Sequence, residues 1–222
     1  MPTTLETGLA VVHLFCTPTD RVDRDGVTAA VDHAVGQGCQ VVTAAILGHK
    51  ADLVVMALAP DLVPLRELQT RLQRAGLAVV DSYVSITEVS EYAVGMPEHM
   101  LRARLYPELP PEGLETFCFY PMSKKREAHA NWYATPFAER DAMMRDHGAS
   151  GRAFAGRIVQ LITASTGLDD HEWGVSLFAR SPEVVKDVVY TLRFDEGSAL
   201  YGDFGRFYVG YVCPIADLVA TP

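Results

Sequence analysis

A chain of 222 residues with 49% hydrophobic side chains can bury one large core or two small ones. Its formal net charge of −9 argues against a nucleic-acid partner, because neutralising phosphates needs a basic surface. No stretch approaches the ~20 apolar residues of a membrane-spanning helix. The opening MPTTLETGLAVVHLFCTPTD has no basic segment ahead of its apolar run, so a protein that stays in the cytoplasm is expected.

Apolar runs bounded by turn residues predict strands over 9–16, 40–46, 52–58 and 78–86, and helical periodicity marks 22–35 and 61–74. That order is β-α-β-β-α-β. The segment 91–113, rich in proline and charge, is the natural linker. Beyond it the order repeats, with strands over 116–122, 157–163, 172–178 and 207–212 and helices over 136–146 and 182–192. DLVVMALAPDLVPLRELQTRL, from Asp52, also aligns without gaps with EWGVSLFARSPEVVKDVVYTL, from Glu172, an offset of 120 residues. The chain is therefore expected to be α+β, an internal duplication of a ferredoxin-like unit. Residues 1–90 form a structural repeat, 91–113 the linker loop and 114–222 the repeat that carries the chemistry. Two such units can cover each other's sheets or close them into a barrel.

Four cysteines, Cys16, Cys39, Cys118 and Cys213, lie far apart in apolar runs without a C-x-x-C pair, and are expected to be reduced core residues. Phosphate-binding, zinc-protease and serine-hydrolase motifs are missing. The seven histidines have no spacing that builds a multi-histidine metal site; a single-histidine ligand stays open, and haem is a cofactor that needs only one. His147 followed by Gly148 has two readings: a helix-end residue interacting with the dipole ahead of a glycine cap, or a ligand. Arg102, Arg104, Lys124, Lys125 and Arg126 stand among Glu98, Glu108, Glu112 and Glu115. They are either a solvated face or a site for a small anion. Within 118–133, a strand end followed by a solvated turn explains Lys125 and Arg126 but says nothing about Tyr120.

Six motifs in order carry a resemblance: RARLYPELPP (102–111), CFYPMSKKR (118–126), NWY (131–133), DHGASGR (146–152), GLDDHEWGVSLF (167–178) and RFDEGSALYGDFGRFYVG (193–210). ILGHKADLVVMAL (46–58) extends it into the first half. The chain resembles the coproheme decarboxylases, the YPMSK-type branch of the chlorite dismutase superfamily. The resemblance implies a dimeric α+β barrel subunit made of two ferredoxin-like repeats, assembled as a homopentamer. It also implies an enzyme of haem biosynthesis that uses hydrogen peroxide to convert two propionates of Fe-coproporphyrin III into vinyls, giving haem b.

Carried over residue by residue, the resemblance makes His147 the axial ligand of the iron, with Glu196 as its carboxylate partner and Asp195 second. Tyr120 matches the tyrosine that becomes a radical, and Lys124 beside it would hold the propionate. Arg104, Tyr120, Pro121, Met122, Ser123, Lys124, Gln160 and Ser198 match the porphyrin contacts, with Arg152, Arg193 and Tyr92 further out. Chlorite dismutases carry an arginine thirteen residues after the proximal histidine; Gln160 stands there in this chain, which disfavours chlorite chemistry. The loop 92–101 is shorter than in the relatives, and His99 within it is expected to be exposed rather than a distal base. The rival readings are a haem carrier without catalysis and a chlorite or peroxide detoxifier.

Overall fold

The computed structural model describes residues 3–219. The first two positions of the expected 1–90 segment and the last three of 114–222 lie outside the described residues. The first half runs β1 (Ala10–Pro18), α1 (Arg24–Gly36), β2 (Gln40–Ile46), β3 (Leu53–Ala59), α2 (Leu62–Arg74) and β4 (Leu77–Thr87). Both helices start where an aspartate meets an orphan backbone N–H: Asp23 accepts from Gly26 and Asp61 from Val63. A short helix, α3 (Glu98–Leu105), follows inside what the sequence presents as a linker loop.

The second half runs β5 (Thr116–Lys124), a hairpin of β6 (Arg126–Glu127) and β7 (Ala130–Asn131), a 3-10 turn over Trp132–Ala134, α4 (Phe137–Arg152), β8 (Ile158–Ala164), β9 (Trp173–Ala179) and α5 (Pro182–Leu192). It closes with α6 (Glu196–Ala199), β10 (Gly202–Phe204), β11 (Tyr208–Val212) and α7 (Ile215–Leu218). The offset of 120 residues holds for the element bounds: Leu53–Ala59 corresponds to Trp173–Ala179, and α2 and α5 start at corresponding positions, Leu62 and Pro182.

The strands pair in the order β10-β5-β11-β2-β3-β1-β4-β8-β9, and β9 pairs again with β5, so the ladder returns to itself. The first half contributes the run β4-β1-β3-β2 and the second β11-β5-β9-β8, all antiparallel. Alternation then sorts side chains. On β1, Ala10, Val12, Leu14 and Cys16 pack towards α1 and α2, while Val11 and Phe15, with Leu9 just ahead of the strand, join Phe117, Phe119 and Phe178 on the other face. Burial on both faces explains why β1 and β3 read as continuous apolar runs. His13 lies in this second core, its Nε2 2.8 Å from Ser176 Oγ; burial holds its pKa down to about 3, so it is a neutral core residue. Cys16, Cys39 and Cys118 are buried thiols, whereas Cys213 is half-exposed; all four are free.

One helix boundary differs from the sequence expectation. α4 does not stop at residue 146 but continues through Gly148 and Gly151 to Arg152. Gly148 has no positive φ, so it forms no left-handed cap, and His147 sits inside the helix rather than at its end. No helix among the described residues is long and apolar enough to cross a membrane.

Candidate functional site

The YPMSK segment is the last part of β5, and its period of two places Tyr120, Met122 and Lys124 on one face and Pro121 and Ser123 on the other. Tyr120 is 5% exposed and shares its core with Cys118, Val175, Leu177 and Val185. Pro121 marks a change of partner. β5 pairs with β11 at 116–119 and with β10 at 122–124, so the missing N–H of Pro121 falls where neither neighbour needs it. The Pro121 carbonyl accepts from Gly205 N at 2.8 Å, and a side chain at Gly205 would strike the proline ring. The crossing segment brings Phe207 onto Tyr120, stacked at 4.4 Å and 22°, with Phe204 at 5.8 Å. Burial pushes the Tyr120 phenol well above the ordinary tyrosine range, so it keeps its proton.

Lys124 is 9% exposed. Its ammonium donates to the Gly197 carbonyl and lies 4.5 Å from the centre of the Trp132 ring. Its backbone N–H donates to Glu172 Oε2 at 2.9 Å, and Glu172 also receives Arg126. Burial pulls the Lys124 pKa down to about 8, against the opposing charge of Glu172. Gly197, in α6, is the meeting point: a methyl there would stand 3.6 Å from Met143 Cβ, 3.7 Å from Lys124 Nζ and 3.9 Å from Trp132.

His147 projects from α4 beside this cluster. Its Nδ1 is 2.9 Å from Asp195 Oδ2, and Asp195 Oδ1 accepts from Ser150 at 2.9 Å. His147 and Ser150 are three residues apart on one helical face, so both reach the residue ahead of α6. The carboxylate corrects the expectation for Glu196, which is exposed; Asp195, the second choice, holds the imidazole. With Nδ1 committed as donor, Nε2 carries the lone pair, and it has no hydrogen-bond partner among the described residues. Burial lowers the His147 pKa, Asp195 opposes the shift and Lys124 adds to it. The imidazole is therefore neutral at pH 7, as metal ligation requires. These features fit an iron porphyrin bound through one histidine.

Gln160 and Ile162 occupy the same face of the sheet, through the registers Gln160↔Leu177↔Cys118 and Ile162↔Val175↔Tyr120. Both are exposed, Ile162 by 47%, so a strip of this face is left uncovered. Tyr92 reaches the site from the linker, stacked on Phe137 at 5.7 Å, with its hydroxyl accepting from Arg140 at 3.1 Å. Ser198 lies half-buried in α6. Ser123 is committed elsewhere, to His171 and the Glu172 N–H.

Three expected residues are not drawn into this cluster. Arg104 is exposed in the last turn of α3, whose end is tied to Thr87 and Gly8. Arg193 lies on the rings of Tyr190 and Phe194, and Arg152 is exposed at the end of α4. His99 is exposed, as expected, but on α3 rather than in a loop. The basic residues of 102–126 thus divide between α3 and the end of β5. Among the described residues no cluster of three or more His, Cys, Asp or Glu could hold a metal by itself. Trp132, Ser150, Glu172, Gly197 and Phe207 escaped the sequence reading, although NWY, DHGASGR, GLDDHEWGVSLF and RFDEGSALYGDFGRFYVG contain all five.

Residues 24–213 match the family model described as chlorite dismutase. The chain is 45% identical over 179 residues to the coproheme decarboxylase of Staphylococcus carnosus, covering 76% of this chain and 71% of that one. Among solved structures it is similar to a haem-binding protein from Thermus thermophilus, 34% identical with a TM-score of 0.83 over 94% of this chain and 92% of that one. A chlorite dismutase variant from Candidatus Nitrospira defluvii shares the fold at 19% identity, with a TM-score of 0.75 over 96% and 94% of the two chains.

Proposed function

The chain belongs to the chlorite dismutase family, and from that premise we infer that it is a peroxide-dependent coproheme decarboxylase of haem biosynthesis. The substrate is Fe-coproporphyrin III, which is also the redox centre, and the product is haem b. Each propionate loses carbon dioxide, one proton and two electrons to become a vinyl; one hydrogen peroxide takes up the two electrons, that proton and one more from solvent, and leaves as two waters. Two rounds consume two peroxides and release two molecules of carbon dioxide.

The observation that carries the reading is the pairing of His147 with Asp195 on a helix beside a face that presents a buried, protonated Tyr120. His147 binds the iron through Nε2. Asp195 fixes the tautomer and raises the basicity of the ring. Lys124 supplies the positive charge that holds a propionate, and Tyr120, stacked in place, meets the propionate side chain. The phenol passes one oxidising equivalent from the iron by giving up its O–H hydrogen, then takes hydrogen from the propionate. Carbon dioxide leaves as the second electron returns to the iron. Gln160, Met122 and Ser198 line the porphyrin, and Tyr92 borders it. Arg104, Arg152, Arg193, Pro121 and Ser123 belong to an outer set that reaches the porphyrin only if it extends beyond this cluster.

The duplicated strand order supports a subunit of two ferredoxin-like repeats, 1–90 and 114–222, closed into a barrel, with 91–113 as a linker that contains α3. Exposed Val209 and Tyr211 on β11 and Leu47 beside it leave an apolar strip for neighbouring subunits, in keeping with a pentamer. A cytoplasmic location suits free Cys16, Cys39, Cys118 and Cys213. Chlorite chemistry is disfavoured by the neutral Gln160, and a carrier has no use for a radical donor. The test is peroxide titration of the coproheme complex with mass analysis of the extracted porphyrin. Stepwise conversion to a three-propionate species and then haem b is expected; bleaching of intact coproheme would overturn the reading.

A further inference from the structure

The ILGHKADL hairpin between β2 and β3 belongs to the half of the chain that carries none of the reactive groups, yet it reaches the site. Lys50 donates from Nζ to the backbone carbonyl of Phe207 and stands 5.7 Å from the centre of the Tyr208 ring. Tyr208 in turn donates its hydroxyl to Asp81 on β4. Leu47 N donates to the Val209 carbonyl at 2.9 Å, so the hairpin grips the start of β11 on both sides of Tyr208. Phe207 is the residue stacked on Tyr120.

From this geometry we infer that Lys50 and Phe207 are positioning residues that fix the ring of Tyr120, so that the first half of the chain sets the aim of the phenol. The inference rests on the role of Tyr120 proposed above. Its physical reason is a gap along one edge of β5, whose other edge stays paired with β9 through Met122. At residues 120–121 β5 has passed beyond its ladder with β11 and not yet begun that with β10. The segment 205–207 crosses there without a ladder of its own, held on one side by Gly205 N on Pro121 O. Lys50 is the hold on its other side. A stacked ring has one degree of freedom left to control, its rotation about the side-chain axis, and the flat face of Phe207 at 4.4 Å and 22° restricts it. Hydrogen transfer is sensitive to misplacement of about 1 Å, so a loosened ring costs rate rather than binding. Phe204 touches the same ring but comes from β10, which the β5 ladder holds independently of Lys50.

The test compares Lys50→Met, which keeps the length of the side chain and removes its donor, with Phe207→Leu and with the rescue variant Lys50→Arg. Two readings are taken on full-length protein. One is the carbon-13 signal of ring-labelled tyrosine, with Tyr120 assigned by its loss in Tyr120→Phe. The other is peroxide-dependent decarboxylation with coproheme affinity measured alongside. Lys50→Met and Phe207→Leu are expected to shift and broaden the Tyr120 signal and to lower kcat about tenfold or more. Coproheme Kd should stay within about twofold, a factor worth only ~0.4 kcal/mol. Lys50→Arg should restore both readings, and the double variant should be no worse than the more severe single one. In the Tyr120→Phe background, Lys50→Met should add nothing. A Tyr120 signal unchanged in both variants overturns the inference, as does a fall in kcat matched by an equal loss of affinity. If Tyr120→Phe itself forms haem b normally, the role of Tyr120 fails instead, and the signal still reports whether Lys50 holds the ring.

Discussion

Asp195→Ala isolates the contact by which, on the function proposed above, a helical histidine becomes a ligand. The substitution removes two hydrogen bonds to one carboxylate, from His147 Nδ1 at 2.9 Å and from Ser150 at 2.9 Å. A hydrogen bond to a charged group contributes about 1.5–3 kcal/mol. Loss of a carboxylate behind a metal-bound histidine typically weakens affinity or activity about 10- to 100-fold, which is about 1.4–2.7 kcal/mol. The bond to His147, the one of the two that bears on the iron, falls in the same range, so coproheme should bind Asp195→Ala about 10- to 100-fold more weakly, with a lower iron–imidazole stretching frequency in the ferrous state. Titration followed by absorbance gives the affinity, and resonance Raman spectroscopy gives the bond. Glu196→Ala is the companion, and with Glu196 exposed it should match the wild type. Equal affinity and an unshifted iron–imidazole mode in Asp195→Ala would refute the argument, and so would a larger effect from Glu196→Ala.

Lys124, with its pKa drawn down to about 8, loses its charge above that value. The kcat/KM for coproheme should therefore fall as pH rises through about 8, and Lys124→Arg should move that limb beyond reach; a profile flat to pH 9.5 would count against Lys124 as the propionate holder. The stability term has the opposite sign. The folded-state pKa lies below the unfolded value of about 10.5, so the unfolded chain binds more protons in between and stability rises with pH across that window. Titration of Lys124 therefore does not itself drive unfolding in that window. His147 has a lowered pKa, so the iron–imidazole bond should persist below the ordinary histidine range near pH 6.5 and be lost only on further acidification; loss of the ligand already at pH 7 by absorption spectroscopy would contradict its burial. Wild-type protein should release essentially no oxygen from chlorite, and Gln160→Arg should gain some, as an oxygen electrode would record; rapid release by the wild type would place the chain in the other branch.

The strands were legible because their apolar runs are long and end in turn residues. The correspondence between the halves was legible because an offset of 120 residues preserves both a strand and the helix after it. Lys124 and Tyr120 could be paired from a strand's period of two. The end of α4 was not legible. A glycine after a histidine is a common stop signal, and nothing local reveals that Gly148 keeps helical dihedrals while His147 and Ser150 share Asp195. Asp195 and Glu196 are chemically equivalent to a sequence reader; only the turn into α6 directs one inward and leaves the other exposed. α3 has no buried residues, so it offered no apolar stripe. Lys50 was hidden for another reason: its partner is a backbone carbonyl 157 residues away, a contact that no pattern of side chains encodes.

Tyr120→Phe tests the central claim most directly, because it removes one hydroxyl and leaves the ring that packs against Phe207 and Val175. If the residue only packs, loss of the hydroxyl costs no more than about 1 kcal/mol, and turnover survives. If the phenol carries the oxidising equivalent, phenylalanine has no O–H hydrogen to give. The variant should then bind coproheme with near wild-type affinity, react with peroxide at the iron, and return a porphyrin with all four propionates on mass analysis. Formation of haem b by Tyr120→Phe at the wild-type rate would contradict the account.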